Sequence, residues 1–432
     1  MASLRNFAVD ITPLKVSRDY RLLFFGQLIS FFGTMMTFIV VPVQMYELTN
    51  SSLYVGLLGV AEFVPMFFLA FIGGVLADSV DRRKMLRLTE IGQTATVAVL
   101  LINSCLPNPQ IWVLFLAVGL HAGLAGLQRP SFEALIPKIV PLEYMSAVAS
   151  LNAIRFQFGF IFAPVVGGLI AAKFGSSFAY ALDFVTFAAT LAAVWLIRAV
   201  PPPPDADQPS LDSIKKGFRY AMSRQELIGT YIIDINAMFF GSAKALFPAL
   251  AVAFGAASKV GFFYSAIAVG SVVATLTSRW AQWVNKHGLA VTLAAGGWGV
   301  AIIFFGFSNG FYLSLFFLAV AGYFDMISGI FRQTIWNQTI PDHFRGRLAG
   351  IEMISFMSGP LLGDAESGLV AHFTSIKTSI ISGGILTVIG TIVIAILLPK
   401  FISYDGREGL KQKKLEDRFR ADSQKAAKET QG

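Results

Sequence analysis

Along the chain, long apolar runs alternate with short breaks of charge, proline or Gly-Asn turns. The runs fall at about 21–45, 53–76, 87–106, 111–132, 147–172, 176–199, 226–252, 258–282, 288–307, 311–335, 348–372 and 376–399. Each is close to the roughly 20 apolar residues a helix needs to cross the hydrocarbon core of a bilayer. The pattern therefore predicts an all-α membrane protein with twelve transmembrane helices. The first run is too long for the apolar core of a signal peptide, so it is expected to remain as a span.

One internal break is long, and it opens with Pro201, Pro202, Pro203 and Pro204, a stiff polyproline II spacer. After it, Leu211, Ile214, Phe218 and Met222 recur at helical spacing opposite Lys215, Lys216 and Arg219, which predicts a helix lying in the headgroup region. The expected organisation is an N-terminal six-helix bundle over 1–200, a cytoplasmic linker with an interfacial helix over 201–225, a C-terminal six-helix bundle over 226–400 and a charged cytoplasmic tail over 401–432. An offset of 200 residues pairs Pro141 with Pro341, Tyr144 with Phe344, and Gly168-Leu169-Ile170-Ala171 with Gly368-Leu369-Val370-Ala371. Two six-span pseudo-repeats related by an axis along the membrane normal place a substrate site between them.

Composition agrees with this reading. Hydrophobic residues make up 55% of the 432 and charged residues only 14%, against roughly 25% in soluble domains. The net charge of +8 raises the question of nucleic acid, and the positions of the cations answer it. With a cytoplasmic N-terminus, the outer loops hold only Lys173, Lys259 and Lys377, while the other loops, linker and tail are rich in Lys and Arg. The positive-inside rule thus reads the basic charge as orientation, with both termini cytoplasmic and no nucleic-acid partner. The single cysteine, Cys105, excludes disulfide frameworks and cysteine-ligated metal clusters.

Two segments carry motif-like chemistry. Gly74-Val75-Leu76-Ala77-Asp78-Ser79-Val80-Asp81-Arg82-Arg83-Lys84 sits between spans two and three. Glycine permits close helix approach, Asp suits a helix N-terminus and Arg can pair with a carboxylate, so Gly74, Asp78, Arg82 and Arg83 could latch one conformation. Span five carries Gly159, Ala163, Pro164, Gly167 and Gly168, small residues at close-packing spacing around a bend. Span eleven partly repeats this as Gly359-Pro360-Leu361-Leu362-Gly363.

The first segment resembles motif A of the major facilitator superfamily, departing from it at Ser79 and Asp81. The second resembles motif C of its drug antiporters, with Ala163 where that family has glycine. Val41-Pro42-Val43-Gln44, Gly73 to Lys84, Pro201 to Pro204 leading to Gly217-Phe218-Arg219, and Leu246-Phe247-Pro248-Ala249-Leu250 together are similar to the enterobactin-exporter branch. The resemblance implies a major facilitator fold and proton-coupled efflux of a bulky, partly apolar solute, siderophore-like or drug-like. A multidrug exporter, a lysophospholipid flippase, or a receptor or scaffold without flux are the alternatives.

Ionisable residues inside spans cost about 2.5–3.5 kcal/mol each on insertion scales and are functional candidates. Glu62, Arg155, Asp325, Asp364 and Glu366 are the candidates for proton coupling or substrate contact, with Asp364 and Glu366 the preferred pair. Asp183, Asp234, Lys244, Arg332 and Glu352 are also within spans. No phosphate-binding loop or H-E-x-x-H occurs, and Gly306-Phe307-Ser308-Asn309-Gly310 reads as a turn. The expected partners are a small-molecule substrate, protons and the lipid bilayer. The expected functional unit is a monomer that is not an enzyme and carries no cofactor or metal.

Overall fold

A computed structural model describes residues 9–79, 81–198, 219–340 and 342–411, with Lys413 and Leu415. Side chains at 71, 74–79, 342–347, 349–351, 353 and 354 are outside the described set. Twelve long helices follow in order: α1 (Arg18–Thr49), α2 (Ser52–Ser79), α3 (Arg82–Ser104), α4 (Ile111–Ile139), α5 (Met145–Phe174), α6 (Ser176–Leu196), α7 (Gln225–Gly241), α8 (Val260–Thr277), α9 (His287–Phe307), α10 (Phe311–Thr339), α11 (Asp342–Phe373) and α12 (Ile376–Leu397). Eleven helical segments among the described residues are long and apolar enough to cross a membrane. The twelfth, α11, carries Glu352, Asp364 and Glu366 and packs against α2 and α7.

Local chemistry sets where these helices begin and end. Ser17 Oγ accepts the Tyr20 N–H at 3.1 Å to start α1, and Asn50 ends it in the left-handed conformation at φ 49°. Asp81, the departure from motif A, accepts the Lys84 N–H at 3.0 Å and so caps α3 where the family has glycine. Gly175 alone joins α5 to α6, at φ 83°, which a side chain would strain.

Packing repeats between the halves. In the N-terminal half α2 packs on α4, α1 on α5 and α6, and α3 on α4 and α6; in the C-terminal half α8 packs on α10, α7 on α11 and α12, and α9 on α10 and α12. Adding six to each helix number turns one set into the other, as two pseudo-repeats require. The halves meet through α2 with α11 and α5 with α8, which the same operation exchanges. Both seams are closest on the face remote from the termini. A side chain on Gly59 would strike the Leu361 carbonyl, one on Gly261 the Pro164 carbonyl, and Ser265 Oγ donates to the Ile161 carbonyl at 2.6 Å.

Two segments add detail to the expected organisation, and one expectation lies outside the described residues. Span seven is not continuous: α7 stops at Gly241, a 3-10 turn covers Lys244–Leu246, and a short helix, Phe247–Ala253, follows with Pro248 in its first turn. The interfacial helix over 201–225 lies outside the described residues up to 218. The charged tail does not stand free from residue 401, because Pro399–Ile402 is helical and Phe401 is fully buried against Gly229 and Gly288.

Gly59→Val is expected to destabilise the protein by about 1–3 kcal/mol through overpacking of the α2–α11 seam. Gly296→Ala, where a Cβ meets nothing within 4 Å, is expected to leave stability unchanged or slightly raised. Thermal unfolding of the purified variants in detergent checks both.

Candidate functional site

The break in α7 leaves backbone N–H groups inside the bundle that the helix itself does not pair. Asp364 of α11 answers that need. Its Oδ1 accepts Ser242 Oγ at 2.6 Å, and its carboxylate faces the backbone N–H groups of Lys244 and Ala245. The positive end of the restarted helix suits a carboxylate there. Tyr264 of α8 donates its hydroxyl to the Lys244 carbonyl at 3.2 Å, holding the turn from the other side.

Around this turn lies a small pocket lined among others by Phe38, Glu62, Lys244, Tyr264 and Asp364. Glu62 comes from α2 in one half, Asp364 and Lys244 from the other. With all three ionised the pocket carries one excess negative charge, and a single proton on either carboxyl neutralises it. The apolar walls make that excess costly.

A second polar group lies within the C-terminal half. Arg332 of α10 pairs with Asp234 of α7 at 2.5 Å and approaches Asp325 at 4.0 Å. Arg332 and Asp234 are 7% and 5% exposed, Asp325 34%. Arg332 is thus a buried ion-pair partner and does not snorkel to the surface. Asp234 pairs with Arg332 and not with Lys244, which lies beyond the break in α7. Trp336 Nε1 donates to Thr230 Oγ1 at 2.8 Å beside the same pair of helices.

In the N-terminal half, Asp183 is fully buried and accepts Thr37 Oγ1 at 2.5 Å and Thr186 Oγ1 at 3.2 Å. His121 meets Thr96 Oγ1 at 2.9 Å and packs edge-on to Phe187, a structural role. Arg155 of α5 donates to Gln27 of α1 at 3.4 Å. Glu90, absent from the sequence candidates, accepts Gln27 and Gln128 at 2.9 and 3.0 Å. It lies inside the expected run 87–106, but only three residues from its start, where a charge reads as interfacial. The helix begins at Arg82, which carries Glu90 into the bundle. Its place on the buried stripe Met85, Leu86, Thr89, Gln93, Thr96 and Leu100 was the available signal.

Residues 9–424 match the family model described as "Transmembrane secretion effector", of the major facilitator superfamily. The chain belongs to this family. Enterobactin exporter EntS of Shigella boydii serotype 18 is 28% identical over 397 residues, covering 91% of this chain and 95% of its relative. EntS of Escherichia coli O1:K1 gives the same identity and coverage. Among solved structures, a bacterial homologue of the iron transporter ferroportin in an inward-facing state aligns with a TM-score of 0.67 at 16% identity over 88% of this chain and 98% of that one. The nucleoside transporter NupG aligns at 0.64 and 12% identity over 88% and 99%. These likenesses, with the twelve helices, make this a multi-pass membrane transporter with the major facilitator fold.

Within that fold the motif residues divide their work. Gly159 and Gly167 let α1 approach at Phe31 and Met36, and Pro164 and Gly168 meet Gly261 and Val260 of α8, with Ala163 fully buried between them. The span-five motif therefore forms part of the seam between halves. Arg83 donates to the Trp195 carbonyl at 2.5 Å, joined by Arg87 at 2.8 Å, and so caps the C-terminus of α6 within its own half. Arg82 is buried, with Nε and Nη1 lacking a hydrogen-bond partner. Gly74 and Asp78 of the expected latch fall where side chains are outside the described residues. Glu366 is half-buried and does not line the pocket that holds Asp364; the structure brings Asp364 together with Glu62 instead.

Arg332→Met is expected to cost about 3–5 kcal/mol, because it leaves Asp234 buried without its counter-charge. Adding Asp234→Asn should recover most of the loss, and thermal unfolding of the single and double variants measures it.

Proposed function

We propose that this transporter exports a bulky, partly apolar small molecule, siderophore-like or drug-like, from the cytoplasm by proton-coupled alternating access. It does so as a monomer in a bacterial inner membrane, with both termini cytoplasmic. Kinship with the enterobactin exporters supports the direction and the substrate class, and the Lys/Arg asymmetry supports the orientation. The observation that carries the coupling is the placement of Glu62 and Asp364, from opposite halves, in one pocket with Lys244 beside the close-packed seams.

The cycle follows from charge. Facing outward, the pocket takes a proton on one carboxyl, its net charge falls to zero and the two halves can close on the outer side. Facing inward, solute enters from the cytoplasm and the proton leaves to that side. The restored negative charge then drives Glu62 and Asp364 apart and reopens the outer seam. The glycines of α2, α5, α8 and α11 allow the halves to meet without a side-chain barrier.

Proteoliposomes with an imposed pH gradient test this, with enterobactin and the cationic dye ethidium as alternative probes. Glu62→Gln and Asp364→Asn are each expected to lower pH-driven accumulation at least tenfold while downhill exchange continues; Glu366→Gln is expected to behave as the parent. Full uphill accumulation in both pocket variants would overturn the coupling. Accumulation of ethidium alone selects the multidrug reading, and absence of any flux selects the receptor or scaffold.

Orientation is checked separately. Ser3→Cys and Ser423→Cys in a Cys105→Ala background should resist a membrane-impermeant maleimide in intact cells and react after permeabilisation.

A further inference from the structure

The N-terminal half holds an acid that the cycle above does not use. Glu90 on α3 is 1% exposed. Its Oε1 accepts the amides of Gln27 from α1 and Gln128 from α4, and its Oε2 is buried with no hydrogen-bond partner. Arg155 stands one amide away. Its Nη1 donates to Gln27 Oε1, its Nε is buried and unpartnered, and its guanidinium lies 4.6, 5.6 and 5.8 Å from the ring centroids of Phe156, Phe132 and Phe31. The Tyr20 hydroxyl, in the same apolar cluster as Phe132, is also buried without a partner.

A carboxylate that stays charged inside the bundle is expected to touch its cation, as Asp234 touches Arg332. Glu90 touches only neutral groups. Carboxamides serve either protonation state, offering N–H to a carboxylate or, after rotation, C=O to a carboxyl O–H. The neighbouring charges are engaged elsewhere. Arg87 of α3 binds the Trp195 carbonyl, Asp183 of α6 is held by Thr37 and Thr186, Arg129 and Glu133 of α4 pair at 3.0 Å, and Asp19 of α1 pairs with Arg198 at 2.8 Å. Arg82 of the same helix is also buried without a partner on Nε and Nη1, but lies eight residues, about 12 Å of helix, before the acid; Arg155 is the cation joined to it through Gln27, held off by that amide and a ring of phenylalanines.

We infer that Glu90 is a second proton-carrying site, neutral in this conformation, which ionises when Arg155 leaves its phenylalanine ring and pairs with the carboxylate directly. The O–H bond on one carboxyl oxygen breaks, the proton passes to water on the side of the termini, and Arg155 meets the negative charge left behind. Gln27, Glu90, Gln128 and Arg155 lie on four different helices, so the exchange would couple protonation to their relative positions. The use of this proton in export rests on the transport reading; its presence on Glu90 does not.

Infrared spectra of the purified full-length protein in lipid nanodiscs test the inference near neutral pH. The C=O band of a protonated carboxyl is expected in the parent and lost in Glu90→Gln. Loss of a carboxylate band instead would overturn it. If Glu90→Gln does not fold, Gln128→Leu keeps the acid and should shift the same C=O band, and an unshifted spectrum counts against the inference. Arg155→Gln should hold that band to higher pH, since the counter-charge is gone; disappearance of the band at the parent's pH would show that Arg155 plays no part. In proteoliposomes with enterobactin as probe, Glu90→Gln should flatten the pH profile of efflux while exchange persists, whereas a merely structural tie would scale every pH point alike. An inactive parent would refute the transport reading and leave the infrared result standing.

Discussion

Inside a bilayer a helix can break only where other groups take up the backbone N–H and C=O groups left unpaired, and Asp364 takes up N–H groups where the seventh span restarts. The consequences spread from that one carboxylate. The turn it supports presents the Lys244 carbonyl to Tyr264 and opens space between α2, α8 and α11. The same carboxylate then stands across the seam from Glu62. A group that began as a helix cap thereby becomes one side of a charge relation between the two halves of the molecule.

The buried acidic groups show three different arrangements in the low dielectric. Asp234 and Arg332 pair directly and tie α7 to α10. Asp183 is surrounded by threonine hydroxyls and ties α1 to α6. Glu62 and Asp364 face one pocket from opposite halves. The first two tie helices together within a half, while the third lies between the halves, where the proposed coupling would act.

Packing obeys the internal repeat more closely than chemistry does. Every helix pairing named in one half has its counterpart in the other, and the two seams exchange under the same operation. The charges do not. Arg332 faces an aspartate where the N-terminal half uses glutamines around Glu90, and the helix break occurs in α7 and not in α1. Symmetric packing supports symmetric motion, and asymmetric polar groups confine the chemistry to particular sites.

Apolar run length alone determined the number and rough placement of the spans, because a bilayer imposes a fixed thickness on any helix that crosses it. The residue offset of 200 disclosed the pseudo-repeats, and the small residues from Gly159 to Gly168 announced a close helix contact. Span charge marked Glu62 and Asp364 as costly residues but did not pair them. That pairing, the capping of α6 by Arg83, the break after Gly241 and the docking of Phe401 were decided by the tertiary structure. Each depends on which helix faces meet across long stretches of sequence, and a periodicity read along one helix carries no information about its neighbour. Glu90 marks the boundary between the two kinds of knowledge: its place on a buried stripe was legible, whereas its depth required the true start of α3, and its glutamine partners required α1 and α4 to be set beside it.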